Sequence, residues 1–300
     1  MYAGPPSHVE GLPRLDRALV MGVLNVTPDS FSDGGRWFDT DRAVEHGLRL
    51  VAQGADLVDV GGESTRPGAI RPSPQEEMGR VLPVIAALAA RGVTLSVDTM
   101  RAEVAAAAVD KGAVLVNDVS GGRADPAMFE TVARLRVPYV LMHWRAHSAQ
   151  MQQQTHYDDV VADVVAELRE QLDLAVAAGI PRERIALDPG IGFSKTADQN
   201  WEVLAATERF HELGCPLLVA TSRKRFLGAL LTDAEGNLRP PLERDDATTA
   251  TTALAALAGA WCVRAHAVLP TADAVRVAAR WAAAGGRAHA YETTATGGGT

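Results

Sequence analysis

Eight short apolar stretches punctuate the chain, and at least seven of them stop on a polar group. The stretch 19–24 stops at Asn25, and 57–60 stops at Gly61-Gly62-Glu63-Ser64-Thr65-Arg66. Stretches 95–97, 114–116, 139–142 and 185–187 stop at Asp98, Asn117-Asp118, His143 and Asp188. The stretch 217–220 stops at Thr221-Ser222-Arg223-Lys224, and 261–263 meets Arg264, with His266 two residues on. Between them lie segments of helical periodicity. A repeated strand–helix unit whose strands end on polar groups predicts an α/β fold, a (β/α)8 TIM barrel, with its active site at the C-terminal rim. Long connections are expected after strands 1 and 2, over 27–39 and 63–73, and another follows strand 5 over 146–157.

Three hundred residues suffice for one such barrel, and a 47% apolar composition supports its core. The net charge of −8 argues against nucleic-acid binding, so an anionic substrate needs a local basic cluster. Two cysteines, Cys215 and Cys262, read as buried thiols, with no disulfide framework and no C-x-x-C metal site. Residues 1–15 lack the apolar core of a signal peptide. The uncharged run 247–263 falls short of the ~20 residues of a membrane span. The expected organisation is a loose leader over 1–17, a single barrel domain over 18–291 and an unordered tail over 292–300, in the cytoplasm with no membrane partner.

Helices are expected at 40–53, 74–90, 101–111, 125–135, 158–178, 197–213, 246–258 and 271–284. Val44, Leu48 and Val51 form the apolar face of the first. Ser73, Pro74 and Glu76 give the second a capping box with Pro at N1. Asp125 and Pro126 read as the cap and N1 of the fourth. The insertion 232–244 is expected to cap an extra turn of helix that begins near Lys224.

Strand alternation sorts the rim. Arg264 and His266 are two apart, so they share a face and suit an anion. Asp98, Asn117 and Asp188 close three different strands. Convergent acceptors there suit a flat heterocycle with several N–H donors, although each side chain would also serve as a helix cap. Lys224 is placed to meet a ring carbonyl or nitrogen, while Arg223 and Arg225 read as solvated charges. Asp188-Pro189-Gly190-Ile191-Gly192-Phe193-Ser194-Lys195 lacks P-loop spacing and alone is a weak signal. His143, His147 and His156 lack the spacing of a zinc-protease helix.

Several of these stretches together resemble the dihydropteroate synthase family of pterin-binding enzymes. The first match is Asn25-Val26-Thr27-Pro28-Asp29-Ser30-Phe31-Ser32-Asp33-Gly34-Gly35. The second is Asp59-Val60-Gly61-Gly62-Glu63-Ser64-Thr65-Arg66-Pro67-Gly68. Further matches are Ser96-Val97-Asp98-Thr99, Asn117-Asp118-Val119-Ser120-Gly121-Gly122, Asp188-Pro189-Gly190-Ile191-Gly192-Phe193 and Ser222-Arg223-Lys224-Arg225-Phe226. The resemblance covers about 20–281, and Met142-His143-Trp144-Arg145 looks like its actinobacterial branch.

That resemblance implies a reaction: 6-hydroxymethyl-7,8-dihydropterin diphosphate joins 4-aminobenzoate, giving 7,8-dihydropteroate and pyrophosphate in folate biosynthesis, the step that sulfonamides block. It also implies roles. Asp98, Asn117, Asp188 and Lys224 would hold the pterin. Thr65, Arg66, Arg264 and His266 would surround the pyrophosphate, and Asn25 would be the Mg²⁺ ligand. Phe31, Pro67, Phe193, Ser222 and Lys224 would form the aminobenzoate environment. Lys224, Arg264 and His266 would be catalytic, and a homodimer through the last two barrel helices would follow. The chemistry suits such parts, because carbon–oxygen cleavage leaves a ring-stabilised cation and an arylamine needs no strong base. The family's usual Arg-x-His-Asp is here Arg264-Ala265-His266-Ala267. A pterin-binding paralogue without synthase activity and a corrinoid-linked methyltransferase of the same superfamily remain as alternatives.

Overall fold

In each strand every second side chain points into the barrel, and those inward series lead to the polar C-terminal rim. A computed structural model describes residues 8–27, 36–63, 71–146 and 154–285. The strands are β1 (Leu19–Asn25), β2 (Leu57–Gly61), β3 (Leu95–Asp98), β4 (Leu115–Asp118), β5 (Tyr139–Met142), β6 (Ile185–Asp188), β7 (Leu218–Val219) and β8 (Cys262–Ala265). All pair in parallel in the order β6-β5-β4-β3-β2-β1-β8-β7. A parallel bridge between Leu187 and Leu217, with Leu187 N–H donating to Pro216 O at 2.9 Å, joins β6 to β7 and brings the two ends of the sheet together.

Leu19, Met21, Leu57, Leu115, Val140, Ala186, Leu218, Ala220 and Cys262 pack together inside the barrel. Stepping by two along each strand from these residues reaches Asn25, Asp59, Asn117, Asp188, Ser222 and Arg264 at or near the C-terminal ends. The opposite parity, including Val20, Leu24, Val58, Val60, Val97, Val116 and Leu187, packs against the helices.

The helices are α1 (Arg36–Ala52), α2 (Pro74–Ala89), α3 (Ala102–Asp110), α4 (Met128–Leu135), α5 (Val160–Ala177), α6 (Ala197–Ala205), α7 (Thr207–Phe210), α8 (Arg225–Leu230), α9 (Asp245–Leu257) and α10 (Val268–Ala283). The capping box of α2 forms as expected, Ser73 accepting from Glu76 N–H and Glu76 accepting from Ser73 N–H. Other expectations need correction. On α1 the buried stripe is Ala43, Val44 and Leu50, while Leu48 and Val51 face solvent. Asp125 does not cap α4, which starts three residues later. Its carboxylate instead accepts from Ala127 N–H at 2.9 Å and from Ala102 N–H at 2.8 Å, where it serves the first turn of α3. The helix expected over 197–213 breaks at Ala206 into α6, α7 and a final 3₁₀ turn.

Of the expected loose leader, the described part is held. Val9 and Leu12 are buried with Trp261 and Leu19 at the barrel floor. Glu10 N–H donates to Glu183 O at 2.8 Å, and its carboxylate pairs with Arg184 at 2.6 Å. An open barrel floor would leave apolar interior in water, and these two side chains cover it. After α8 the insertion runs to a 3₁₀ turn, Pro241–Arg244. The buried Arg244 donates there to Arg239 O at 2.6 Å and Arg223 O at 2.9 Å, which ties the insertion to the segment that carries Lys224. Residues 1–7 and 286–300, including the expected tail, lie outside the described residues.

Candidate active site

The barrel mouth is organised around one guanidinium. Arg264 of β8 donates from Nε to Asp59 Oδ2 at 2.6 Å and from Nη2 to Asp98 Oδ2 at 2.6 Å. Asp59 is wholly buried. It also accepts from Asn117 Nδ2 at 2.9 Å and from the Ser96 hydroxyl. Four strands are thereby linked through side chains. Among the described residues these bonds use two of its five N–H groups. Burial works against the Arg264 charge, but Asp59 and Asp98 outweigh it and raise its pKa. Burial pushes Asp98 up to about 7, with Asp59, Glu77 and Asp118 adding to it and Arg264 opposing. Breaking a buried pair of this kind costs on the order of 3–5 kcal/mol, because a charge is left without its partner.

Asp188 closes the other side of the mouth. Its Oδ1 accepts from Gly190 N–H at 2.7 Å, and burial raises its pKa while Lys224 pulls it back. Lys224 follows β7 and turns across to β6, where its ammonium donates to Ile191 O. Burial lowers it to about 8, Asp188 opposes that, and Arg264 adds to it. Lys224 Nζ lies 4.9 Å from the centre of the Phe193 ring. Gly192, at φ +81°, leaves room for this crossing, since a methyl group there would stand 2.7 Å from Lys224 Cδ. Ser222 accepts from His266 N–H at 3.1 Å and lies 2.9 Å from His266 Nδ1. The Ser222 hydroxyl thus fixes the orientation of the His266 ring through Nδ1.

The fold therefore gathers Asp98, Asn117, Asp188, Phe193, Ser222, Lys224, Arg264 and His266 at one end of one barrel. Asn25 ends β1 in register with Gly61, on the inward parity. Phe31, Thr65, Arg66 and Pro67 lie outside the described residues. Arg223, read as a solvated charge, instead makes a paired bond to Asp245 at 2.8 Å and stands at φ +59°. Two participants had no role assigned from the sequence. Asp59 hides two residues before the end of a buried strand, and its signal is a carboxylate at inward parity. Lys195 is nearly fully buried beneath the turn after β6.

The histidines noted from the sequence differ in their surroundings where they are described. His143 is buried and lies 3.0 Å from Glu167 Oε2, whereas the His156 side chain is 95% exposed; His147 lies outside the described residues. Among the described residues no group of three or more His, Cys, Asp or Glu is placed to hold a metal ion.

Residues 21–266 match the family described as pterin binding enzyme, and the chain belongs to that family. A dihydropteroate synthase of Mycobacterium leprae is 55% identical over 267 residues, 89% of this chain and 94% of that protein. The structure of a Xanthomonas albilineans dihydropteroate synthase with 4-aminobenzoic acid aligns with a TM-score of 0.81 at 47% identity, covering 90% of this chain and 94% of that one. The same bacterium's enzyme in complex with 7,8-dihydropteroate aligns with a TM-score of 0.79 at 45% identity, covering 91% and 95%. Within the pterin-binding enzymes the chain's place is with the dihydropteroate synthases, transferases of folate synthesis.

Proposed function

We propose that the chain condenses 6-hydroxymethyl-7,8-dihydropterin diphosphate with 4-aminobenzoate to give 7,8-dihydropteroate and pyrophosphate. The observation that carries this reading is the buried Asp59–Arg264–Asp98 chain facing Asp188 and Lys224 across one barrel mouth. A pterin is flat, with N–H donors along one edge and a carbonyl beside them. Asp98, Asn117 and Asp188 supply acceptors, and Lys224 supplies a donor. The relatives bound to 4-aminobenzoic acid and to 7,8-dihydropteroate support the same substrates here.

In the reaction the carbon–oxygen bond at the pterin methylene breaks, and both electrons leave with pyrophosphate. The arylamine lone pair then forms the carbon–nitrogen bond and the amine releases a proton. Arg264, with three N–H groups not used by the described residues, would face the departing anion, and His266 stands two residues on along the same strand end. Phe193 lies beside Lys224 and Ser222 bonds His266, a setting that suits an aromatic amine at this part of the mouth. The active site needs no strong base, because an arylamine is neutral and nucleophilic at neutral pH.

Asn25 offers one neutral oxygen at the rim, and no group of three or more His, Cys, Asp or Glu among the described residues is placed to hold a metal ion. That donor set fits Mg²⁺, which keeps water and substrate phosphate as most of its ligands. When bound it would neutralise charge on the diphosphate. We further propose a cytoplasmic homodimer. Leu254 on α9 and Leu269, Val277 and Trp281 on α10 are each more than half exposed, on two helices that pack against each other, which supports that reading. No helix among the described residues is long and apolar enough to cross a membrane.

The test is incubation of the protein with dihydropterin diphosphate, Mg²⁺ and labelled 4-aminobenzoate. Labelled dihydropteroate is expected, and a sulfonamide should compete with the labelled amine. Tight pterin binding without product would instead make the chain a pterin-binding relative that lacks synthase activity.

A further inference from the structure

Lys195 belongs to no substrate-binding role assigned above, yet it is 3% exposed. Its Nζ lies 3.1 Å from Gly190 O, 3.3 Å from Phe193 O and 3.1 Å from His143 Nδ1. Burial lowers His143 to about 3, so the ring is neutral. Its Nε2 faces Glu167, which Arg145 also holds, and this leaves Nδ1 as an acceptor. An ammonium has three N–H donors, and three acceptors surround this one. A neutral amine has two donors and must leave one acceptor without a hydrogen bond.

The segment under this clamp is an awkward one. Gly190, Gly192 and Ser194 all have left-handed backbones, at φ +69°, +81° and +47°. Ser194 carries the side-chain cost of that conformation, and its buried hydroxyl has no partner among the described residues. The same turn positions the site. Gly190 N–H holds Asp188, Ile191 O receives the Lys224 ammonium, and the Phe193 ring lies beside Lys224.

We propose that Lys195, in its charged form, is a positioning residue: its ammonium locks the 190–194 turn from within the loop, and through that turn it sets Asp188 and Lys224 for the pterin. The proposal rests on the pterin-binding reading given above. Every charged or titratable group around Lys195 bears on the lock. Burial lowers Lys195 to about 7. Asp188 on β6 and Glu167 on α5 oppose that shift, while Lys224 after β7 and Arg145 after β5 add to it. Tyr157, whose hydroxyl donates to Ser194 O at 2.9 Å, is raised to about 12 by burial and stays neutral, as does His143. The lock is therefore complete below about pH 7 and loses a bond above it.

Two measurements on the full chain test this. Amide hydrogen exchange across 188–196, corrected for its intrinsic pH dependence, reads the turn directly. In the wild-type protein, protection at about pH 6 should fall at least about fivefold by about pH 8.5, and Lys195→Met should lack it at both. The dissociation constant for dihydropterin diphosphate with Mg²⁺ reads the site. The variant should bind about tenfold more weakly at about pH 6 and nearly as well as wild type at about pH 8.5. Taking the ratio removes the titration of Asp98, which both proteins share, and leaves that of Lys224 only as far as Lys195 alters it. A ratio that stays constant with pH, or wild-type protection that does not change, overturns the proposal. If Lys195→Met fails to fold, the exchange is read in Lys224→Ala, which removes the second titrating ammonium on the turn: loss of protection between about pH 6 and about pH 8.5 upholds the proposal, and no loss overturns it. Absence of pterin binding at any pH, with exchange behaving as expected, would refute the pterin reading and leave the lock standing.

Discussion

Lys224 shows how much one side chain carries at the rim. Its stem crosses Gly192 and its charge faces Asp188, so removal strips the mouth of a cation without cutting into the apolar core. Lys224→Ala is expected to lower kcat/KM at least about a hundredfold with an unchanged circular dichroism spectrum. Loss of the spectrum would instead give Lys224 a structural role. At this scale the sequence is legible where a polar residue ends a buried strand: Asp98, Asn117, Asp188 and Arg264 all lie at the inward parity their positions imply. Asp59 escapes that reasoning because it stands before the strand end and looks like one more buried position. Lys195 escapes it because its partners are carbonyls presented by a left-handed turn, and residue spacing does not encode them.

At the scale of elements, α10 and α5 make opposite points about termini. Ala267 is the N-cap of α10 and makes no side-chain cap bond, so the position where the family usually carries Asp lacks the helix-capping carboxylate. Ala267→Asp should raise stability by about 1 kcal/mol in denaturant melts and change turnover by less than about tenfold. A rise of several hundredfold in turnover would show that the carboxylate belongs to the chemistry. On α5, Glu167 ties the helix to the end of β5 through His143 and Arg145. Burial opposes its charge, but these two partners win and hold it at about 2. A carboxyl depressed in the folded state stabilises above its unfolded pKa and loses that contribution as pH falls through its folded value. Glu167→Gln should therefore cost about 2 kcal/mol near neutral pH. The gap should close between about pH 4.5 and pH 2, where equal unfolding midpoints are expected. Helix boundaries were legible to within a few residues where caps and periodicity agreed, as in α2. They failed where Asp125 served a neighbouring helix, because a cap bond across elements leaves no local trace.

For the whole molecule, the barrel follows from repetition of one pattern, and its floor and outer face do not. Val9 and Leu12 read as leader because two isolated apolar residues among prolines and charges carry no period; only the assembled barrel supplies the hole they fill. The outer face of α9 and α10 leaves Leu254, Leu269, Val277 and Trp281 exposed. Trp281→Glu should convert the expected homodimer to monomer in sedimentation velocity while the activity per chain is retained within about threefold. Monomeric wild-type protein would refute that assembly.

The barrel is unevenly fastened around its circumference. β1 shares five registered pairs with β2 and four with β8, whereas β7 is two residues long and meets β6 through one bridge. Asp188 stands on one side of that slit and Lys224 on the other. A ligand gripped by both spans the weakest joint of the cylinder, so that occupancy doubles as a rivet and the empty protein is the one most apt to gape.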